Sequence, residues 1–414
     1  MKVLVYRTSA VLLVIIAGVL LSSLLLFAGE RSKGPLEDLA TTVTSDVARF
    51  EKQLVGGDLR KSRSAALGWF ARYRTNKALL NAPDTILTGA YDNNTAESYE
   101  SIVALEESLQ VKLPIIQLYT AWGSKKDQVF PMLRAQAIQD LGSLPMITWE
   151  PWLDDFDRTV FPTAQAAERV NEGGLKAIAA GRYDAYVDKW ATAAKQFGAP
   201  FYLRFGHEMN DPYRYPWGPQ NNDPADYIAA WRHVVSRFRQ LGATNAIWLW
   251  SPHPAYTNYR EFYPGNEYVD WIGVTTLNYG TVAPAWSKWY SFDEIFGNSY
   301  AEFSQYGKPI IVTEFGSLRV GGDRAAWFQQ ALTDLPVKYP AVKAVVFYNN
   351  SSDMTTTYKS LDWSFNADKK VLTAATQAMK SWRVHRSPIS RLLSGKPLVV
   401  APSAARPDQH PLGK

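Results

Sequence analysis

Arg204, His207, Glu208 and Asn210 lie together in Arg204-Phe205-Gly206-His207-Glu208-Met209-Asn210-Asp211, at the end of the apolar run Pro200-Phe201-Tyr202-Leu203. Such a run reads as a buried strand. A guanidinium, an imidazole, a carboxylate and an amide therefore gather where a strand gives way to a loop. A second such place is Pro309-Ile310-Ile311-Val312-Thr313, which leads into Glu314-Phe315-Gly316. Two carboxylates can divide the work of cleaving a glycosidic bond, one attacking and the other giving and then taking a proton. With 15 Trp and 22 Tyr in the chain, apolar surfaces that suit sugar faces are plentiful.

Other chemistries find little support. His207-Glu208 begins like the helical zinc-protease motif, but Asp211 stands where a second His is needed. There is no Cys, so thiolate nucleophiles and Cys-ligated zinc are out. No Gly-rich dinucleotide or phosphate loop and no Gly-x-Ser-x-Gly elbow is present, so neither a cofactor nor a metal is implied. The net charge of +5 resides mostly in the tail from His385 to Lys414, where Arg386, Arg391, Lys396, Arg406 and Lys414 face only Asp408. The body is nearly neutral, and nucleic-acid binding gains no support.

The elements that must position these groups recur along the chain. Eight apolar, β-branched or aromatic runs read as strands: Thr85–Gly89, Pro114–Leu118, Pro145–Trp149, Phe201–Phe205, Ala246–Trp250, Trp271–Thr276, Pro309–Glu314 and Ala344–Tyr348. Helical patterns separate them over Ser98–Leu109, Asp127–Leu141, Tyr183–Phe197, Pro224–Leu241, Phe292–Tyr306 and Asp323–Tyr339. Strands alternating with helices imply parallel pairing through right-handed crossovers, and eight such units predict an α/β fold, a (β/α)8 TIM barrel over residues 85–383. An open doubly wound sheet is the alternative. Glu208 follows the fourth strand and Glu314 ends the seventh, so a barrel brings both into one mouth.

The termini point to export. Residues 10–29 are uncharged and rich in Leu, Val and Ile, behind Lys2 and Arg7. That length suits a transmembrane helix, an uncleaved signal anchor over residues 1–29 facing the periplasm or cell exterior. Secretion after signal cleavage is the alternative. Residues 30–84 read as a helical stalk or cap, and 384–414 as a basic, Pro-rich tail.

The ordered motifs Arg204-x-x-His207-Glu208-Met209-Asn210, Tyr215-Pro216-Trp217-Gly218, Ile247-Trp248-Leu249-Trp250-Ser251-Pro252, Tyr263-Pro264-Gly265, Tyr268-Val269-Asp270-Trp271-Ile272-Gly273 and Lys308 through Gly316 resemble glycoside hydrolase family 26, a clan A family. The resemblance covers roughly Thr85 to Arg383. It implies a retaining endo-β-glycanase, most often a β-1,4-mannanase, with some members acting on mixed-linkage β-1,3-1,4-glucan or β-1,3-xylan. It further implies that Glu208 is the acid/base, that Glu314 is the nucleophile, and that His207 and Trp217 line the cleft. One segment departs from the pattern: mannanases of the family place a Gly and an aromatic cluster after the Asn, whereas here Asp211-Pro212-Tyr213-Arg214-Tyr215 follows Asn210.

Each neighbour has a functional and a structural reading. Arg204 is placed to bond the Glu314 carboxylate and keep it ionised, or forms a structural ion pair. His207 is a sugar ligand or orients Glu208, or is a satisfied core histidine. Asn210 contacts a sugar hydroxyl or fixes a loop. Tyr279, at the end of the sixth strand, is expected to donate its hydroxyl to the nucleophile. Trp149 and Trp152 flank Glu150-Pro151, Trp217 lies in the loop after the fourth strand and Trp250 ends the fifth, so these four are expected to stack on sugars, whereas Trp190, Trp231, Trp327 and Trp382 fall on helices and read as core. Glu150 is a third strand-end carboxylate.

Three functional classes follow: a membrane-tethered endo-β-glycanase, a sugar-binding barrel without catalysis, and an accessory of a polysaccharide synthesis or export machine that trims the nascent glycan.

Overall fold

A computed structural model describes residue 63 and residues 65–96, 99–166, 169–282, 288–355 and 360–382. Eight parallel strands close a barrel in sequence order: β1 (Leu87–Asp92), β2 (Ile115–Ala121), β3 (Leu144–Glu150), β4 (Phe201–Phe205), β5 (Ala246–Trp250), β6 (Trp271–Asn278), β7 (Ile310–Ser317) and β8 (Val342–Asn349). The seam is β1 on β8, with Gly89 opposite Val346. The strands are nearly continuous apolar runs rather than alternating ones because both faces are covered. Outward side chains meet the helices and inward ones fill the barrel.

Among the described residues, eight helices of more than one turn accompany the strands: α1 (Glu100–Leu109), α2 (Met132–Asp140), α3 (Gly174–Ala179), α4 (Asp184–Phe197), α5 (Pro224–Gln240), α6 (Phe292–Phe303), α7 (Arg324–Lys338) and α8 (Lys369–Trp382). Local chemistry sets their ends. Asp223 precedes α5 with Pro224 in the first turn, where proline has no hydrogen bond to lose. Ser291 and Glu294 form a capping box on α6. Gly198 ends α4 in the left-handed region. The helix expected from Asp127 begins only at Met132, after a separate 3-10 turn at Lys126–Gln128. Between β5 and β6 a 3-10 turn, Tyr259–Phe262, stands where a barrel helix would be.

Of the stalk or cap expected over residues 30–84, the described part packs as a cap on the barrel. The compact unit that holds the barrel begins at Arg63, and two single-turn helices, Ala71–Arg74 and Lys77–Leu80, precede β1. Leu67, Phe70 and Leu80 form one buried cluster with the inward residues Ile115, Met146, Ile247, Trp271, Ile311 and Val346. They close the floor of the barrel. Arg63 anchors this segment: its Nε donates to Glu106 Oε2 at 2.9 Å and its Nη2 to Ser143 Oγ at 3.0 Å. The apolar segment 10–29, the first part of the expected stalk and the basic tail lie outside the described residues. No helix among the described residues is long and apolar enough to cross a membrane.

Candidate active site

Inward positions alternate along each strand and change character from floor to mouth. Above the apolar floor lies a polar layer of Gln117, Thr148, Arg204, Ser251, Thr275 and Thr313, all buried. Gly273 keeps room in it, since a Cβ there would come within 2.7 Å of the Thr313 methyl and 2.9 Å of Ser251 Oγ. At this layer the pairing of β7 slips against both neighbours, between Val274 and Thr275 of β6 and between Val312 and Phe315 on the β8 side. A bulge of this kind re-aims side chains. Thr313 and Glu314 both serve the interior, while Val312 and Phe315 pack in the outer core.

Glu314 is held from two strands. Arg204 Nη1 donates to its Oε1 at 2.5 Å, and Tyr119 Oη donates to the same oxygen at 2.8 Å. The second guanidinium arm of Arg204 reaches Thr275 Oγ1 at 3.0 Å. Across the mouth, Glu208 sits two residues past Gly206 with φ +53, a left-handed conformation that costs an L-residue about 1–2 kcal/mol. Its backbone N–H donates to Ser251 O at 2.7 Å, which pins the turn. Strain held in place by surrounding bonds is a recurring feature of functional sites. Arg214 Nη1 lies 3.4 Å from Glu208 Oε2.

Burial and charge act in opposition here. Burial alone would raise the Glu208 carboxyl, but His253, Arg214, His207 and Arg204 surround it and bring it down to about 2. Burial also pushes His207 and His253 below the ordinary imidazole range. Both rings are therefore uncharged near neutrality, and the lowering that persists there comes from the two guanidiniums. Burial raises Glu314 above its usual value, Arg204 opposes this and the charge of Glu208 adds to it. Two carboxyls whose charges act on one another titrate as a pair, in one low and one raised step. Between those steps they hold a single proton. Glu150 is raised to about 7, chiefly by burial, although Trp152 Nε1 donates to its Oε2 at 3.1 Å.

The structure gathers Arg204, His207, Glu208, Asn210, Tyr279 and Glu314 around one mouth, and it corrects several expectations. His207 Nε2 lies 3.1 Å from Tyr215 Oη, and its backbone carbonyl accepts the Trp217 indole N–H at 2.7 Å. Asn210 fixes a loop: its Nδ2 donates to the carbonyls of His253 and Tyr256 at 3.0 and 2.9 Å, and its Oδ1 accepts the His253 N–H at 2.7 Å. The hydroxyl on Glu314 is that of Tyr119, while Tyr279 Oη meets Arg214 Nη2 at 3.4 Å. Trp149 and Trp250 do not stack on sugars. Both are 0 % exposed, because their positions on β3 and β5 face the helices, where Trp149 stacks on Trp190 and Trp250 packs against Tyr263 and Phe303. Trp217 is buried too, stacked on Tyr215 with centroids 4.6 Å apart. Trp152, partly buried, leans edge-on against Trp217.

Tyr119, His253 and Arg214 were not read as site residues from sequence. Tyr119 lies one residue beyond the expected end of its strand, and the two-residue period from Ile115 through Gln117 was the signal that points it inward. Glu208, Asp211 and His253 bring ligand atoms within 4.8 Å of one another, but Arg214 lies 3.4 Å from one of those carboxylates and 3.8 Å from the other. The guanidinium already supplies the positive charge that a cation would bring.

Residues 159–308 match the model of glycosyl hydrolase family 26. Endoglucanase H of Acetivibrio thermocellus is 32% identical over 293 residues, 69% of this chain and 29% of that protein. Beta-1,3-xylanase TXYA of a Vibrio species is 28% identical over 161 residues, 37% of this chain and 32% of that protein. The chain thus spans less than a third of the length of either relative. The catalytic domain of the endo-beta-1,4-mannanase of Bacillus sp. JAMB-750 superposes with a TM-score of 0.53 at 16% identity, covering 78% of this chain and 90% of that one, a likeness of fold alone. Motif order, family match and relatives agree, and the chain belongs to glycosyl hydrolase family 26.

Proposed function

We propose that this protein is a retaining endo-β-glycanase acting on a β-linked polysaccharide, either mixed-linkage β-1,3-1,4-glucan or β-1,4-mannan. The observation that carries this reading is the placement of Glu314, gripped by Arg204 and Tyr119, in one mouth with Glu208. In the first step Glu314 attacks the anomeric carbon while the bond to the leaving oxygen breaks, and Glu208 gives that oxygen its proton. In the second, Glu208 takes a proton from water, the water oxygen bonds to the anomeric carbon, and the bond to Glu314 breaks. Arg204 and the Tyr119 hydroxyl stabilise the Glu314 carboxylate as it is released.

The name of the Acetivibrio thermocellus relative, an endoglucanase similar over 69% of this chain, favours the glucan. The mouth also favours a neutral chain, since both of its guanidiniums are already paired, Arg204 with Glu314 and Arg214 with Glu208 and Asp211. The uncharged run 10–29 supports an exported protein tethered to the membrane.

The test is a hydrolysis screen with protein from residue 30 onward on mixed-linkage β-glucan, β-mannan, β-1,3-xylan and cellulose, with proton NMR of the first product released. Cleavage with a β-anomer appearing first supports the reading. An α-anomer appearing first, or no cleavage of any of the four, defeats it.

A further inference from the structure

Arg214 lies in the loop after β4, and its guanidinium sits inside the mouth. Its side chain is 22% exposed, against 2% for Glu208 and 4% for Asp211. Three groups hold it, none closely: Glu208 Oε2 at 3.4 Å, Asp211 Oδ2 at 3.8 Å and Tyr279 Oη at 3.4 Å. Arg204, by contrast, binds Glu314 at 2.5 Å and is fully buried. One arginine is built in and the other is loosely tethered to a carboxylate that has to give up a proton.

A glycosidic oxygen that takes a proton from Glu208 must come within hydrogen-bond reach of that carboxyl. It therefore competes with Arg214 for the same group. The geometry points to Arg214 as a positioning residue, a counter-ion that covers Glu208 in the resting site and that the entering glycan displaces. This rests on the glycosidase reading above. With Arg214 in place Glu208 is ionised, and the proton shared by the carboxyl pair stays away from the group that must donate it. With Arg214 displaced, Glu208 can carry it. When the leaving sugar departs and Glu208 becomes a carboxylate again, the guanidinium is at hand to stabilise it.

The other groups around Glu208 do not substitute for it. Arg204 from β4 is committed to Glu314. His207 beside it and His253 after β5 are neutral near pH 7. Tyr279 after β6, Tyr215 and Tyr119 are phenols raised above their ordinary range mainly by burial, and Glu314 and Glu150 are acids that oppose ionisation of Glu208.

Carbon-13 carboxyl titration of the exported chain labelled at Glu tests this, with the Glu208 and Glu314 lines assigned from Glu208→Gln and Glu314→Gln. Arg214→Met is expected to move the Glu208 midpoint up by about one unit or more, the usual effect of removing an adjacent cation, while Arg214→Lys keeps it near the parent value. A saturating product oligosaccharide should move the parent midpoint in the same direction. A Glu208 line that stays put in Arg214→Met, that moves equally in Arg214→Lys, or that ignores the oligosaccharide overturns the proposal. Because the variant titrations need no turnover, they stand apart from the hydrolysis screen: a protein that cleaves glycans while its Glu208 line ignores Arg214 sinks only this inference.

Discussion

Tyr119 on β2 and Glu314 on β7 meet at 2.8 Å, through the carboxylate oxygen that also receives the Arg204 guanidinium. A phenol raised far above its ordinary range by burial never competes for the carboxylate's proton and acts only as a donor. Its hydrogen bond favours the ionised form of Glu314, the proposed nucleophile.

Tyr119→Phe removes that donor and keeps the ring. A hydrogen bond to a charged group is worth about 1.5–3 kcal/mol, so kcat/KM should fall by about tenfold or more. Glu314 loses stabilisation of its anion, its pKa rises further, and the acid limb of the kcat/KM profile should move to higher pH. A profile that keeps its position would show that the contact is structural.

The two glutamates should fail in different ways. Glu314→Gln should abolish turnover of every glycan, because no covalent intermediate forms without it. Glu208→Ala should be slow on natural glycans but much less so on an aryl glycoside whose leaving group needs no proton. Azide should then rescue Glu208→Ala as the β-configured glycosyl azide. Rescue of a Glu314 variant as the α-azide would instead exchange the two roles.

Glu150 makes stability depend on pH. Its folded carboxyl is raised from 4.5 to about 7, so between those values the folded protein holds a proton that the unfolded chain has released. Stability is therefore lost as pH rises through that window. Glu150→Gln, which still accepts from the Trp152 indole, should flatten the dependence. Urea midpoints compared at pH 5 and pH 8 give the answer, and an equal drop in parent and variant would assign the effect to other groups.

Arg63 and Glu106 are both about 1% exposed and paired. Breaking a buried pair from one side costs about 3–5 kcal/mol, so Arg63→Met should lower the urea midpoint sharply. Replacing both, as Arg63→Met with Glu106→Leu, should restore most of it. If the single change is mild, the floor segment is not anchored through this pair.

The barrel was legible because each strand is a nearly continuous apolar run and several helices carry end signals such as Ser291, Asp323 and Gly198, so all eight strands fall within a few residues of where pattern placed them. The placement of Arg204, Glu208 and Glu314 at one mouth was legible for a related reason: charged residues at the ends of apolar runs stand out against the core. The tryptophans were not. Trp149 and Trp250 end strands just as a sugar platform would, yet one residue of parity turns them to the helices, and parity is visible only once strand ends are known. Tyr119 failed by the same margin in the opposite direction. Residues 30–84 were read as a helical stalk or cap without a choice between the two, because amphipathic turns look alike whether they face solvent or plug a barrel.

That plug ties together residues far apart in synthesis. Leu67, Phe70 and Leu80 share a cluster with Ile311, Ala344 and Val346, so the first part of the unit to leave the ribosome finds its resting place only after β8 has emerged. Until then an apolar segment and an open barrel end wait for one another. Contacts of such long sequence separation slow folding and lengthen exposure to aggregation, and for this unit that exposure falls within synthesis itself.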